Sequence, residues 1–257
     1  MATRPKQRFS VVEPIREINK IKIVDNGEPL VGIADRCPDI LLNDEPNDLG
    51  IPPLPYLRET VVEMLREAHS LLPAGYRFRV TSAYRAPEHQ WTIYEWVYNK
   101  FRETNPHWPR NILRRETNRF VHPPDIPTPP GHSTGGAVDL TIVGPDGEDL
   151  DMVSPYEGDR DVRRHVAATY DDKITEQARQ NRDLLIRVMS EAGFTNYAGE
   201  WWHWSYGDSC WAWRLGKPTA IYGMIEPTPE IRALMDFFAA RRDEDAGDSA
   251  VAEDDAE

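Results

Sequence analysis
Only two cysteines, Cys37 and Cys210, occur in the 257 residues, in unrelated contexts without CxxC spacing. This excludes a disulfide framework and a cysteine-based zinc site, and both residues read as packed thiols. Long apolar runs are also missing. The basic start, MATRPKQRFSVVEPIREINK, is followed by no apolar stretch of the length a secretory signal needs, and no later segment approaches a membrane span. The expectation is a cytoplasmic protein with no membrane partner. Positive charge is short, with 30 Lys and Arg against 43 Asp and Glu. The resulting formal charge of -13 argues against nucleic acid as a partner. P-loop and dinucleotide glycine patterns are absent, as are internal repeats.

The acidity is uneven. From Asp243 to Glu257 there are eight acids, no Lys or Arg and no aromatic residue, a composition expected to be disordered. The rest divides into an N-terminal arm over residues 1–54, a core over 55–225 and a C-terminal helix over 226–242. In the core, Val61, Leu65, Ala68 and Leu72 recur at helical spacing between Pro55 and Leu72. YRFRVTSAY then alternates as a strand ending at Arg85, and Pro87 opens a helix carrying Trp91, Tyr94, Val97 and Phe101. The prolines between Asn105 and Pro130 predict a long loop without a long regular element. AVDLTIV alternates again, with Asp139 on the face opposite Val138, Leu140 and Ile142. A helix from about Asp172 to Ala192, capped by Gly193, precedes GEWWHWSY, which reads as another strand. Helices between strands that pair partly by hairpins point to an α+β fold.

Two stretches carry chemistry: GHSTGGAVDL, Gly131 to Leu140, and GEWWHW, Gly199 to Trp204. His132, Asp139 and His203 together offer two imidazoles and a carboxylate, a set suited to zinc. Three protein ligands leave the fourth tetrahedral position open, which is the catalytic rather than the structural pattern. Gly135 and Gly136 allow the sharp turn that would bring His132 and Asp139 to one point. An ideal strand puts Glu200 and His203 on opposite faces, so Glu200 serves as a general base only if it lies before the strand or at a bulge. Arg85, at the end of a strand, is the candidate cation for a developing oxyanion. His69, His89, His107, His122 and His165 read as surface or packing residues, and Trp201, Trp202 and Trp204 as core or cleft wall.

SAYRAP (Ser82–Pro87), HSTGGAVDLT (His132–Thr141), SEAGF (Ser190–Phe194) and EWWHW (Glu200–Trp204) resemble, in order and separation, the VanX-like D-alanyl-D-alanine dipeptidases. These lie within a wider group of zinc DD-peptidases that share a fold with the Hedgehog signalling domain. The resemblance covers about residues 55–225. It implies an antiparallel sheet with helices packed on it, zinc ligands at His132, Asp139 and His203, a catalytic base at Glu200 and a transition-state arginine at Arg85. It also implies a small dipeptide substrate, D-Ala-D-Ala first among the candidates. Two departures bear on the substrate. Pro130 stands where the family commonly has serine, and Glu157 where its dipeptidases tend to carry an aspartate that holds the substrate ammonium. The alternatives are a DD- or LD-carboxypeptidase acting on peptidoglycan fragments, a biosynthetic enzyme derived from the dipeptidase site, and a non-catalytic zinc module. The sequence says nothing of the oligomeric state.

Overall fold
The computed structural model describes residues 6–154 and 167–254, with residues 243–254 described by their backbone. In chain order the first elements are α1 (Ile15–Ile18), β1 (Lys22–Ile23), β2 (Leu30–Gly32), α2 (Ile33–Arg36), β3 (Leu41–Leu42) and β4 (Tyr56–Arg58). Next come α3 (Glu59–Ser70), β5 (Arg77–Ser82), α4 (Pro87–Thr104), α5 (Arg110–Thr117) and β6 (Ala137–Val143). The chain continues through α6 (Glu176–Glu191), β7 (Thr195–Asn196), β8 (His203–Ser205), α7 (Ser209–Arg214), β9 (Thr219–Ala220) and α8 (Pro229–Asp254).

The main sheet has the order β3-β5-β6-β8-β7. Its pairs are antiparallel except β3 on β5, which is parallel, so the sheet of this α+β fold is mixed rather than wholly antiparallel. The parallel edge comes from the arm. Residues before Tyr56 do more than lie over the core, because β2 pairs with β4 and β1 with β9.

One face of the sheet is covered by α3 and α6. Val61, Leu65 and Ala68 of α3 and Leu185, Val188 and Met189 of α6 pack with Phe78, Val138, Leu140, Ile142 and Trp204 in one cluster. The alternation in β6 makes this cluster possible, since a strand presents every second side chain to one face. Asp139 is thereby sent to the other side.

Several boundaries differ from the sequence reading, among them the end of β5, which stops at Ser82 rather than Arg85. The helix expected from Pro55 begins at Glu59, because Tyr56–Arg58 pair with β2. α6 starts later than expected, where Thr175 caps it by accepting from the Ala178 N–H at 3.1 Å. The stretch after Asn105 contains the helix α5, which buries Leu113 and Thr117, and the Thr117 hydroxyl returns a bond to the Leu113 carbonyl at 2.9 Å. The backbone of α8 stays helical through Asp254, past Arg242 and into the acidic stretch expected to lack structure. No proline interrupts it, and a single helical glycine costs only about 1 kcal/mol. Among the described residues no helix is long and apolar enough to cross a membrane.

Candidate active site
Three neighbouring strands and one turn supply the chemistry. Register places Asp139 of β6 directly opposite His203 of β8 on one side and opposite Ser82 of β5 on the other. Directly paired residues share a face at Cβ separations of roughly 4.5–5.5 Å, so the pairing alone brings Asp139 and His203 together. A register shift between Val80 and Ser82 ends the regular part of β5, and Arg85 follows three residues later.

His132 arrives differently, in a 3-10 turn over Gly131–Thr134. The turn ends at Gly135 with φ of 71°, where a Cβ would lie 2.4 Å from the Leu30 Cδ2 atom. At Gly136 a Cβ would lie 2.5 Å from the Tyr206 carbonyl. Both glycines are therefore required, one mainly for its dihedral and one for close approach. Buried Arg58 fastens the turn from below. Its Nε donates to the Thr134 carbonyl at 2.8 Å and its backbone N–H to the Gly135 carbonyl at 2.9 Å, while Nη2 is paired with Asp25 at 2.7 Å.

The His132 Nδ1 lies 2.7 Å from the Ala83 carbonyl. A carbonyl can only accept, so Nδ1 carries the proton and Nε2 offers its lone pair. Nε2 is 3.3 Å from Asp139 Oδ2, and His203 Nδ1 is 2.9 Å from Asp139 Oδ1. His132, Asp139 and His203 thus present one ligand atom each, all within 4.8 Å of one another. Two nitrogens and one carboxylate oxygen at this separation fit a zinc ion with a further position open.

GEWWHWSY is not a strand throughout. Only His203–Ser205 are extended, and the chain from Ala198 to Trp202 turns. Asn196 imposes this. Its buried side chain donates to the carbonyls of Glu200 and His203, both at 3.0 Å, and its own Oδ1 accepts from the Thr169 hydroxyl. The turn relieves the face conflict between Glu200 and His203, and both line one cavity of about 230 Å³ with Arg85, His132 and Asp139. Arg85 is steered by Gln90 Oε1 at 2.9 Å and Ser82 Oγ at 3.3 Å. Trp202 is cavity wall, and Trp204 lies in the core. A larger hollow beside α3, lined by Glu59, Glu63 and Ser70, is open to solvent and gathers no comparable set.

The electrostatics are mutual. Burial opposes charge on Asp139, but the two histidines outweigh it and hold this carboxyl far below the usual carboxylate range. Burial pushes His132 down, whereas at His203 the bond and charge of Asp139 overcome burial and push it up. Glu200 is pushed up to about 7 by burial, reinforced by Asp139 and opposed by His203 and Arg85. Burial lowers Arg85, with Asp139 and Glu200 opposing.

Residues 56–218 match the model of a family described as D-Ala-D-Ala dipeptidase. The chain belongs to that family. A D-alanyl-D-alanine dipeptidase from Synechocystis is 34% identical over 137 residues, 47% of this chain and 55% of the relative. One from Enterococcus faecium is 40% identical over 78 residues, 30% of this chain and 37% of the relative. The chain thus spans about half the length, or less, of these curated relatives. The solved vancomycin-resistance D,D-pentapeptidase VanY aligns with TM-score 0.39 at 15% identity over 77% of this chain and 96% of its own, a likeness too distant to carry an argument.

All the sequence-derived site residues in the described part meet in the one cavity. Glu157 lies outside the described residues. Pro130 lines the cavity and opens the 3-10 turn, its carbonyl accepting from the Ser133 N–H at 2.9 Å. Neither Asn196 nor Arg58 is evident in the sequence, and the arm, expected to lie over the core, also lines the cavity. An asparagine after a helix and an arginine before one have no spacing signature, because their partners are distant backbone carbonyls.

Proposed function
We propose that this chain is a zinc-dependent dipeptidase that hydrolyses D-Ala-D-Ala or a related small dipeptide. The observation that carries the reading is the convergence of His132, Asp139, His203, Glu200 and Arg85 on one cavity. Its volume, about 230 Å³, is below the roughly 300–1,000 Å³ of pockets for drug-sized ligands and suits a dipeptide. Family membership and the activity for which its relatives are named support the same substrate class. A cytoplasmic location belongs to this reading and is tested by cell fractionation.

His132 Nε2, His203 Nδ1 and an Asp139 oxygen would hold the zinc. When bound, zinc acidifies water and polarises a carbonyl. Glu200 acts as general base, taking a proton from the attacking water and returning it to the leaving amine. In the metal-free site burial raises this carboxyl above its ordinary range, and a carboxylate within reach of the attacking water can carry out both transfers. Arg85, fixed by Gln90 and Ser82, presents positive charge to the oxyanion that forms as water adds to the carbonyl. Glu157 is proposed to meet the substrate ammonium, its charge retained on a longer arm than aspartate.

The test is alanine release from D-Ala-D-Ala by metal-free and zinc-loaded protein, with L-Ala-L-Ala and a set of mixed-chirality dipeptides alongside. Zinc-dependent release from the D,D-dipeptide is expected. Zinc-loaded protein that cleaves none of these dipeptides would sink the reading. Glu200→Gln separates an enzyme from a zinc-holding module, since only in an enzyme does it abolish turnover while leaving zinc bound.

A further inference from the structure
The family match covers residues 56–218, yet the turn that presents Glu200 and His203 is fastened by residues 7–13, well outside it. β7 is the outer strand of the main sheet, so among the described residues one edge of its backbone has no neighbouring strand. Gln7 takes that place. Its Nε2 donates to the Asn196 carbonyl at 3.0 Å and its Oε1 accepts from the Asn196 N–H at 3.1 Å, the two bonds a paired strand residue would make. Asn196 is buried, and its backbone groups need such partners. The hydroxyl of Tyr197, next in the chain, donates to the Val11 carbonyl at 2.9 Å.

These two residues also shape the catalytic turn. The Asn196 side chain donates to the Glu200 and His203 carbonyls. The Tyr197 N–H donates to the His203 carbonyl at 3.1 Å, and the Tyr197 carbonyl accepts from the Glu200 N–H at 2.9 Å. Its ring stands edge-on to the His203 imidazole, with centroids 6.2 Å apart. A rotation of the Asn196–Tyr197 backbone would therefore move the general base and a metal ligand together. The arm has its own anchors. The Arg8 N–H donates to the Arg214 carbonyl at 2.7 Å, and Glu13 accepts from Arg214 Nε at 2.5 Å. Arg214 in turn reaches Thr195 Oγ1 at 3.1 Å and Ser205 Oγ at 2.8 Å, tying arm, β7 and β8 together. Glu13 and Arg214 are matched in charge, so this anchor adds no net charge to the cavity they line.

We propose that Gln7 and Val11 are positioning residues: by bracing Asn196 and Tyr197 from outside, they hold Glu200 and His203 in their working geometry. The effect on turnover rests on the peptidase reading above, whereas the bracing itself does not. Neither Gln7 nor Val11 lines the cavity, so their loss acts on the chemical step rather than on substrate affinity. Small displacements suffice, since a misplacement of about 1 Å can cost roughly a hundredfold in rate.

The experiment uses the full zinc-loaded chain with Gln7→Ala, which removes both bonds to Asn196, and Tyr197→Phe, which removes the bond to Val11 and keeps the ring. Amide hydrogen exchange and dipeptide kinetics are measured on each. Exchange of the amides from Asn196 to His203 is expected to speed up by about tenfold in either variant, with β5 and β6 unchanged. kcat is expected to fall by about five- to tenfold, with KM within about twofold of wild type and zinc content unaltered. Unchanged exchange over Asn196–His203, protection lost evenly through the sheet, or an unchanged kcat in an active enzyme would overturn the proposal. Should Gln7→Ala fail to fold, Tyr197→Phe decides by the same readings. A zinc-loaded wild type that cleaves no dipeptide would overturn the peptidase reading, while exchange still decides whether the arm braces the turn.

Discussion

The two histidines of the site are held by opposite means. His132 sits in a tight turn whose shape comes from backbone demands: a left-handed Gly135, a close approach at Gly136 and an imidazole bonded to the Ala83 carbonyl. His203 opens a strand in register with Asp139, and the turn before it is shaped by a single side chain, Asn196, reaching the carbonyls of Glu200 and His203. Backbone geometry thus shapes the first half, with Arg58 fastening it, whereas in the second the turn itself is oriented by a removable side chain. That difference also separates their electrostatics. His132 is pushed toward the neutral form by burial, while the bond and charge of Asp139 push His203 up.

Asp139 joins the halves, so its loss should be the most damaging change. Asp139→Asn is expected to weaken zinc binding and lower kcat/KM by about three orders of magnitude or more, read by metal analysis and dipeptide turnover. Glu200→Gln should lower kcat by about 10²–10⁴ with zinc content unchanged, because only proton transfer is removed. Asn196→Ala probes the second half alone. It should destabilise the fold by about 1–3 kcal/mol and reduce activity by about ten- to a hundredfold, with thermal unfolding and kinetics as readouts.

Gly135→Ala probes the first half. The left-handed dihedral and the Leu30 contact should cost about 1–3 kcal/mol of stability, measured in denaturant. Equal activity losses in Asn196→Ala and Gly135→Ala, despite unequal effects on zinc affinity, would erase the distinction between the halves. The smallest effect concerns pH. In the metal-free site His203 is raised above the ordinary histidine value of about 6.5, so a proton must leave before Nδ1 can bind a cation. Zinc affinity should therefore rise as pH increases through and beyond the ordinary histidine range, as read by competition with a chelator. A pH-independent affinity would place the displaced proton elsewhere.

Much of the site was legible because its signals are local. The alternation of β6 sends Asp139 away from Val138, Leu140 and Ile142, and the His132-to-Asp139 spacing with two glycines implies a turn entering a strand. The requirement that Glu200 precede the strand followed from period-two geometry, and the turn at Ala198–Trp202 meets it. What failed was the extent of elements whose limits depend on remote partners. Tyr56–Arg58 became a strand because β2 lies beside them, and α5 formed where Leu113 could be buried.

The sequence by itself determined the chemical groups, the faces on which β6 displays them and the glycines that permit the His132 turn, because side-chain period and backbone sterics act over a few residues. Only the tertiary structure decided that Asn196 would shape the second turn, that Arg58 would fasten the first, and that Val12, Glu13 and Ile15 would reach the cavity. Those contacts join residues far apart in the chain. Their positions follow from how strands, helices and arm pack against one another, which local spacing does not encode.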